Sequence, residues 1–230
     1  ALDSSGLSVA VISNQPFEQA MPEAPTLRVS AINGANQQVL TDMGVWQRMP
    51  TTRLSPYKTM SVWDKDSFGR IDFSHDDLPA PQLGHIIENQ LLTNALAEKV
   101  GQQASVKLIE AKIDKVLTGQ RETMLMLNND EVIACRLLVG ADGANSYIRQ
   151  QAQFPLAFKD YGHTAIVATI RTEKPHGQCA RQVFTPDGPL ALLPLANPNE
   201  VSIVWSQRNE VAQDILALDN DTFSHRLTAT

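Results

Sequence analysis

The stretch Gly140–Ala141–Asp142–Gly143–Ala144–Asn145–Ser146 sets two glycines, a carboxylate and two capping residues between an apolar run, Arg136–Val139, and a helix-like segment, Tyr147–Ala152. Glycine has no Cβ to collide with a ligand, so Gly140 and Gly143 allow close approach to the backbone. A helix starting at Asn145 or Ser146 turns free N–H groups and the positive end of its dipole toward the turn before it. Asp142 can accept hydrogen bonds from ribose hydroxyls or anchor an arginine. Open α/β sheets bind ligands at such strand-to-helix crevices. The same residue types also make a tight strand–helix turn with an Asp or Asn cap, and spacing alone leaves the two readings equal.

Other chemistries find little support. The histidines at 75, 85, 163, 176 and 225 form no HxH or HExxH pattern, so no metal site is expected. Cys135 and Cys179 have neither ligand spacing nor a CxxC, which fits a reducing compartment. No serine nucleophile elbow is present. A net charge of −6 argues against nucleic acid, whose phosphates call for clustered Lys and Arg. With 230 residues, 43% apolar and 19% charged, the chain suits one large or two small globular domains. No apolar run approaches the roughly 18–20 residues of a membrane helix.

The elements that must position these residues can be read in order. Ala1–Ser5 is read as the last turn of a helix, closed by Gly6 in the left-handed conformation. Leu7–Ile12 then predicts a buried parallel strand, as in the second half of a βαβ unit. Ser13–Thr26 is a loop; a helix follows Asn33 with its end at Gly44. Thr59–Trp63 and Arg70–Phe73 alternate around the connection Asp64–Gly69, which predicts a hairpin. Ile86, Ile87, Leu91, Leu92, Ala95, Leu96 and Val100 mark an amphipathic helix ending at Gly101. Short strands are expected at Val106–Ile109, Ile113–Leu117, Thr123–Leu127, Val132–Ala134 and Arg136–Val139, with a turn at Asn128–Asp130. Beyond Pro155, His163–Arg171, Gln178–Phe184, Leu190–Leu195 and Val201–Trp205 read as strands, and Gln207–Ala229 as a polar helix. Trp63, Phe73, Phe184 and Trp205 fall on this second sheet, where lining an apolar ligand pocket is one role and core packing the default. His85 is read as structural or solvated rather than as a substrate contact.

The motifs carry a resemblance. GADG with Asn145, Ser146 and Arg149 resembles the second nucleotide-binding motif of the class A FAD-dependent aromatic hydroxylases. Arg28–Val29–Ser30–Ala31–Ile32–Asn33, ahead of Leu40, Gly44 and Val45, is similar to that family's arginine-containing flavin segment. Val62–Trp63–Asp64–Lys65–Asp66–Ser67–Phe68–Gly69 and Gly84–His85–Ile86–Ile87–Glu88–Asn89 narrow the likeness to the ubiquinone-biosynthesis hydroxylases, nearest to those acting on an octaprenylphenol. Residues 167–173 and 180–184 extend it into the second sheet.

The resemblance implies an α/β (α+β overall) fold. Residues 1–50 and 82–160 would form a partial, Rossmann-like FAD-binding domain, and 51–81 with 161–230 a partial antiparallel substrate-domain sheet. It implies an FAD-dependent monooxygenase that uses NAD(P)H and O₂, through a flavin C4a-hydroperoxide, to hydroxylate a polyprenylphenol in ubiquinone biosynthesis. Arg28 would contact the FAD pyrophosphate or ribitol region, Asn89 the diphosphate, and Asp142 flavin-side groups, with Gly143 admitting the cofactor. No catalytic acid or base is assigned. The family's GxGxxG unit should precede Ala1 and its later Gly-Asp motif should follow Thr230, so the chain is read as an internal piece that holds FAD weakly or not at all by itself and is inactive alone. Where relatives carry a ribose-binding Glu, this chain has Ser13, with Glu18 and Glu23 nearby as substitutes. A cytoplasmic enzyme with peripheral contact to the inner membrane and membership of a biosynthetic complex complete the implication. The rival readings are a flavin-dependent reductase on the same scaffold and a non-catalytic module that binds an isoprenoid or a partner.

Overall fold

The computed structural model describes residue 2 and residues 5–230. Its elements run β1 (Val9–Ser13), β2 (Val29–Asn33), α1 (Gly34–Asp42), β3 (Ser55–Tyr57), β4 (Thr59–Asp64), β5 (Arg70–Ser74), β6 (Gly84–Glu88) and α2 (Asn89–Gly101). There follow β7 (Val106–Glu110), β8 (Ile113–Thr118), β9 (Thr123–Leu127), β10 (Val132–Cys135), α3 (Tyr147–Gln151), β11 (His163–Arg171), β12 (Cys179–Thr185), β13 (Gly188–Pro194), β14 (Glu200–Arg208), α4 (Asn209–Leu216) and α5 (Asn220–Thr228). The fold is mixed α and β, as expected. Its contacts divide the chain into two units, residues up to 19 with 97–159, and 20–96 with 160–230.

In the first unit β1 pairs in parallel with β7, Val9 opposite Val106 and Ser13 opposite Glu110. β8, β9 and β10 form an antiparallel meander whose second turn holds Asp130 at φ +65°. Ile109, Ala111, Leu125 and Leu127 are its buried core, with Ile12, Ile113, Val116, Ile133 and Leu138 packed against them. Two sequence expectations fail here. The parallel strand expected over Leu7–Ile12 does form, as β1, but its expected burial fails, because the sheet it joins has two strands and Val11 remains exposed. Arg136–Val139 forms no strand: Leu138 turns to the core, but Leu137 and Val139 are 78% and 71% exposed, and no neighbouring strand among the described residues takes up their backbone. The helical turn expected at Ala1–Ser5 falls largely outside the described residues; Gly6, its proposed cap, does adopt φ +73°.

In the second unit a six-stranded sheet has the order β11-β14-β13-β12-β4-β5. The β4–β5 hairpin joins it through a parallel pairing with β12, Ser61 opposite Arg181 and Trp63 opposite Val183. Side chains in register share a face, so the sheet sorts its residues cleanly. On one face Ile166, Val183, Leu190, Val201, Ile203 and Trp205 are buried against Ala212 and Ile215 of α4, with Phe223 and Leu227 of α5 alongside. Each such large apolar side chain contributes about 1.5–3 kcal/mol by leaving water. Gln207–Ala229 is not one helix: β14 continues through Arg208, and the helical stretch breaks at Ala217–Asp219, where the Asp219 carboxylate accepts the Thr222 N–H (2.9 Å) and starts α5 afresh.

A three-stranded sheet, β2-β6-β3, completes this unit. Ile86 and Ile87, read in the sequence as the start of the amphipathic helix, lie instead in β6, the central strand here, with all five of its residues buried. A strand covered on both faces shows no alternation, so its isoleucines mimic helical spacing. Ile86 packs with Tyr57, Ala180 and Leu195; Ile87 packs on the other side with Leu40, Val45, Met49, Leu91 and Ala95. α1 starts on the Asn33 side chain, which accepts the Asn36 N–H at 2.9 Å, and Gly44 follows it at φ +68°.

Candidate functional site

The antiparallel β2–β6 ladder brings together two of the residues singled out in the sequence. Val29 lies opposite Glu88, so Arg28 and Asn89 meet just beyond the ladder, where the Asn89 N–H donates to the Arg28 carbonyl at 2.9 Å. The Ser30 hydroxyl donates to Asn89 Oδ1 at 2.6 Å. That bond fixes the carboxamide, and among the described residues its Nδ2 protons have no partner and are available to a ligand. The Arg28 side chain is exposed, and its guanidinium makes no hydrogen bond or ion pair among the described residues. A cation and an amide donor, 61 residues apart in sequence, thus share one sheet end.

Sequence reasoning missed the group that braces this end. Glu88, whose side chain is 6% exposed, receives Arg53 Nε and Nη2 on its two oxygens at 2.8 Å each. The Thr26 N–H donates to the same carboxylate at 2.6 Å, and Arg53 Nη1 donates to the Pro22 carbonyl at 2.9 Å. Burial alone would raise the Glu88 pKa; the Arg53 guanidinium and the Thr26 N–H outweigh it and hold the carboxyl below its ordinary value. The one signal in the sequence was an acidic residue inside an apolar strand.

The GADG turn is built from its own side chains. Asp142 accepts hydrogen bonds from the Ser146 hydroxyl on one oxygen and from the Ile148 N–H (3.1 Å) on the other. Ser146 caps α3 by accepting the Arg149 N–H at 2.9 Å, and Arg149 Nη1 donates to the Ala144 carbonyl at 2.7 Å. Partial burial pushes Asp142 upward, but these donors prevail and its pKa lies below the usual value. The two glycines serve different ends. Gly143 stands at φ +88° with nothing within 4 Å of where a Cβ would be, so its surroundings are open. A Cβ on Gly140 would meet Ile148 at 3.0 Å, so this glycine lets α3 pack rather than admitting a ligand. Ser13, at the position of the expected ribose acid, spends its hydroxyl on its own turn, donating to the Gln15 carbonyl (2.8 Å) and accepting the Gln15 N–H (3.1 Å).

The four aromatic residues expected on the large sheet part company. Trp63 and Trp205 lie on the face covered by helices, Trp205 edge-on to Phe223 with ring centres 6.1 Å apart. Phe73 and Phe184 lie on the opposite face, 48% and 44% exposed, beside Val62, Ile71 and Ala191. His85 is buried edge-on to Trp46 (4.9 Å), with Nδ1 unpartnered and its pKa lowered by burial, as befits a core imidazole. Among the described residues no group of His, Cys, Asp and Glu could hold a metal, and both cysteines are free.

A family model described as FAD binding domain matches residues 2–229. The 3-demethoxyubiquinol 3-hydroxylase of Escherichia coli (strain K12) is 32% identical over 202 residues, covering 87% of this chain and 51% of the relative. Ubiquinone hydroxylase UbiL of Rhodospirillum rubrum is 31% identical over 228 residues, covering 99% and 52%. The chain therefore spans about half the length of the curated relatives it matches. Its fold is shared with P. aeruginosa PqsL, solved in complex with 2-aminobenzoylacetate, at a TM-score of 0.75 and 20% identity over 93% of this chain and 57% of that one. A match along nearly the whole sequence, with relatives that are ubiquinone hydroxylases, establishes that the chain belongs to the FAD binding domain family.

Proposed function

We propose that the protein containing this chain is an FAD-dependent monooxygenase that hydroxylates a polyprenylphenol on the way to ubiquinone, consuming NAD(P)H and O₂. The observation that carries this reading is the meeting of Arg28, whose guanidinium has no partner among the described residues, with Asn89, whose carboxamide Ser30 orients, at one sheet end in a chain of this family. The donor set fits the cofactor. A guanidinium fork and free amide protons are what a diphosphate accepts, through charge-assisted bonds. The open Gly143 turn leaves room for a ligand at its backbone, beside the Asp142 carboxylate, whose pKa its donors hold below the usual value. Arg28, Asn89, Asp142 and Gly143 are accordingly the residues that would hold FAD. Residues 1–50 and 82–160 would serve the cofactor, and 51–81 with 161–230 the phenol.

The redox chemistry with NAD(P)H and O₂ belongs to the bound flavin. The chain's own part is to bind, orient and keep water out. The Phe73–Phe184 face offers an apolar floor for a prenylated ring, and the helix-covered face beneath it keeps that floor rigid. A polyprenyl tail partitions into lipid, so the reading includes peripheral contact with a membrane from the cytoplasmic side, and company in a biosynthetic complex. Among the described residues no helix is long and apolar enough to cross a membrane. The 230 residues alone are expected to hold FAD weakly or not at all, because Ser13 brings no charge to a ribose and its hydroxyl is already bonded.

The test is the purified full-length protein. Flavin absorbance, NAD(P)H oxidation stimulated by a polyprenylphenol, and a product carrying one added oxygen support the proposal. Oxidation without hydroxylated product favours a flavin-dependent reductase; absence of flavin favours a non-catalytic binding module.

A further inference from the structure

We infer that the pair formed by the buried Glu88 and the half-buried Arg53 is a positioning device for the flavin contacts at Arg28 and Asn89; this rests on the proposed function. Glu88 ends β6 and Asn89 opens α2, and their side chains take different partners: Ser30 holds the Asn89 carboxamide and is not a partner of Glu88. Its partners lie elsewhere. Its carboxylate takes both prongs of Arg53 and the Thr26 N–H, while Arg53 takes the carbonyls of Pro22 (2.9 Å) and Glu23 (3.4 Å). The run 22–26 is therefore clamped at both ends, two residues before Arg28. The Arg28 guanidinium has no internal partner among the described residues, so its place is set by the backbone that leads to it. Stability alone does not call for this arrangement. Burying the Glu88 carboxylate costs desolvation that an apolar residue in its place avoids, whereas a bidentate pair fixes geometry. The clamp thus supplies the approach of the chain into Arg28, and the Asn89 N–H to the Arg28 carbonyl passes that register to the carboxamide.

The test is a double-mutant cycle on FAD affinity in the full-length protein, read by flavin fluorescence at a temperature where every variant keeps its native circular dichroism. E88Q keeps the volume and an acceptor for Thr26 but removes the charge. It is expected to weaken FAD about tenfold when Arg28 is present, and less than about twofold in the R28A background. R53K, which keeps the charge and loses the fork, should repeat the pattern and replaces E88Q should that variant fold poorly. Hydrogen exchange of residues 24–28 should quicken in both. Equal weakening in both backgrounds, or unchanged affinity with quickened exchange, overturns the inference and leaves the functional reading intact. A full-length protein that carries no FAD overturns both.

Discussion

Gly84 stands at the end of β6, between β2 and β3, and replacing it with alanine tests whether this ladder fixes the site. An ideal Cβ there lies 2.4 Å from the Ile32 carbonyl oxygen, 2.9 Å from the Tyr57 hydroxyl and 3.0 Å from Tyr57 Cε1. The first distance is about 1 Å short of ordinary contact, and its partner is backbone in a paired strand, which cannot rotate aside. Overpacking costs about 1–3 kcal/mol and occasionally more; contacts from both flanking strands put G84A at the top of that range, about 3 kcal/mol. That is a large share of the 5–15 kcal/mol typical of a domain. Trp46, Trp63 and Trp205 all lie within 20–96 and 160–230, so tryptophan fluorescence in a urea titration reports this unit. G143A is the contrast. It meets no atom within 4 Å and costs only its left-handed backbone, about 1–2 kcal/mol. A loss below about 1 kcal/mol for G84A at unchanged m would mean that β2 and β3 do not clasp β6 as described.

Three further outcomes follow from the packing and the charges. The folded Glu88 pKa lies below its ordinary 4.5, so the stability this group contributes is complete above pH 4.5 and is lost as pH falls through the folded value; urea midpoints of the parent should drop more steeply than those of E88Q below that pH. His176 is buried, with Nε2 donating to the Leu195 carbonyl (3.0 Å) and Nδ1 accepting the Gln178 N–H (3.0 Å) at a residue held at φ +56°; H176A should cost about 2–3 kcal/mol in the same titration, and a loss under 1 kcal/mol would show that the turn holds itself. W205A should lose about 3–5 kcal/mol, while F184A should leave the urea midpoint nearly unmoved and weaken polyprenylphenol binding; equal destabilisation by both would contradict the assignment of the two sheet faces.

Much of this architecture was legible because its signals are local. The β4–β5 hairpin alternates apolar and polar residues, α2 closes at Gly101, and the strands from His163 to Trp205 sit between Pro and Gly turns. β6 was misread because a strand covered on both faces loses its two-residue period, and Ile86 and Ile87 align with Leu91 and Ala95 as a helix would. The break before α5 carried a usable signal, Asp219 three residues ahead of Thr222, overridden by the polar texture around it. Arg136–Val139 has the composition of a strand, but strand identity depends on a partner, which no local run encodes. The site divides in the same way. Arg28 and Asn89 were visible as residue types in motifs, whereas their adjacency and the Arg53–Glu88 clamp depend on pairings across 61 and 35 residues. Gly140 and Gly143 look alike in sequence; φ and the packing of Ile148 separate them.

The Arg28 guanidinium, without a partner among the described residues, is the group proposed to grip a flavin nucleotide. The dissociation constant of FAD from the full-length protein, compared with that of R28A, tests it most directly. Loss of charge-assisted bonds worth about 1.5–3 kcal/mol predicts affinity about ten- to a hundredfold weaker, with the native circular dichroism unchanged. Affinity within twofold of the parent would contradict the claim.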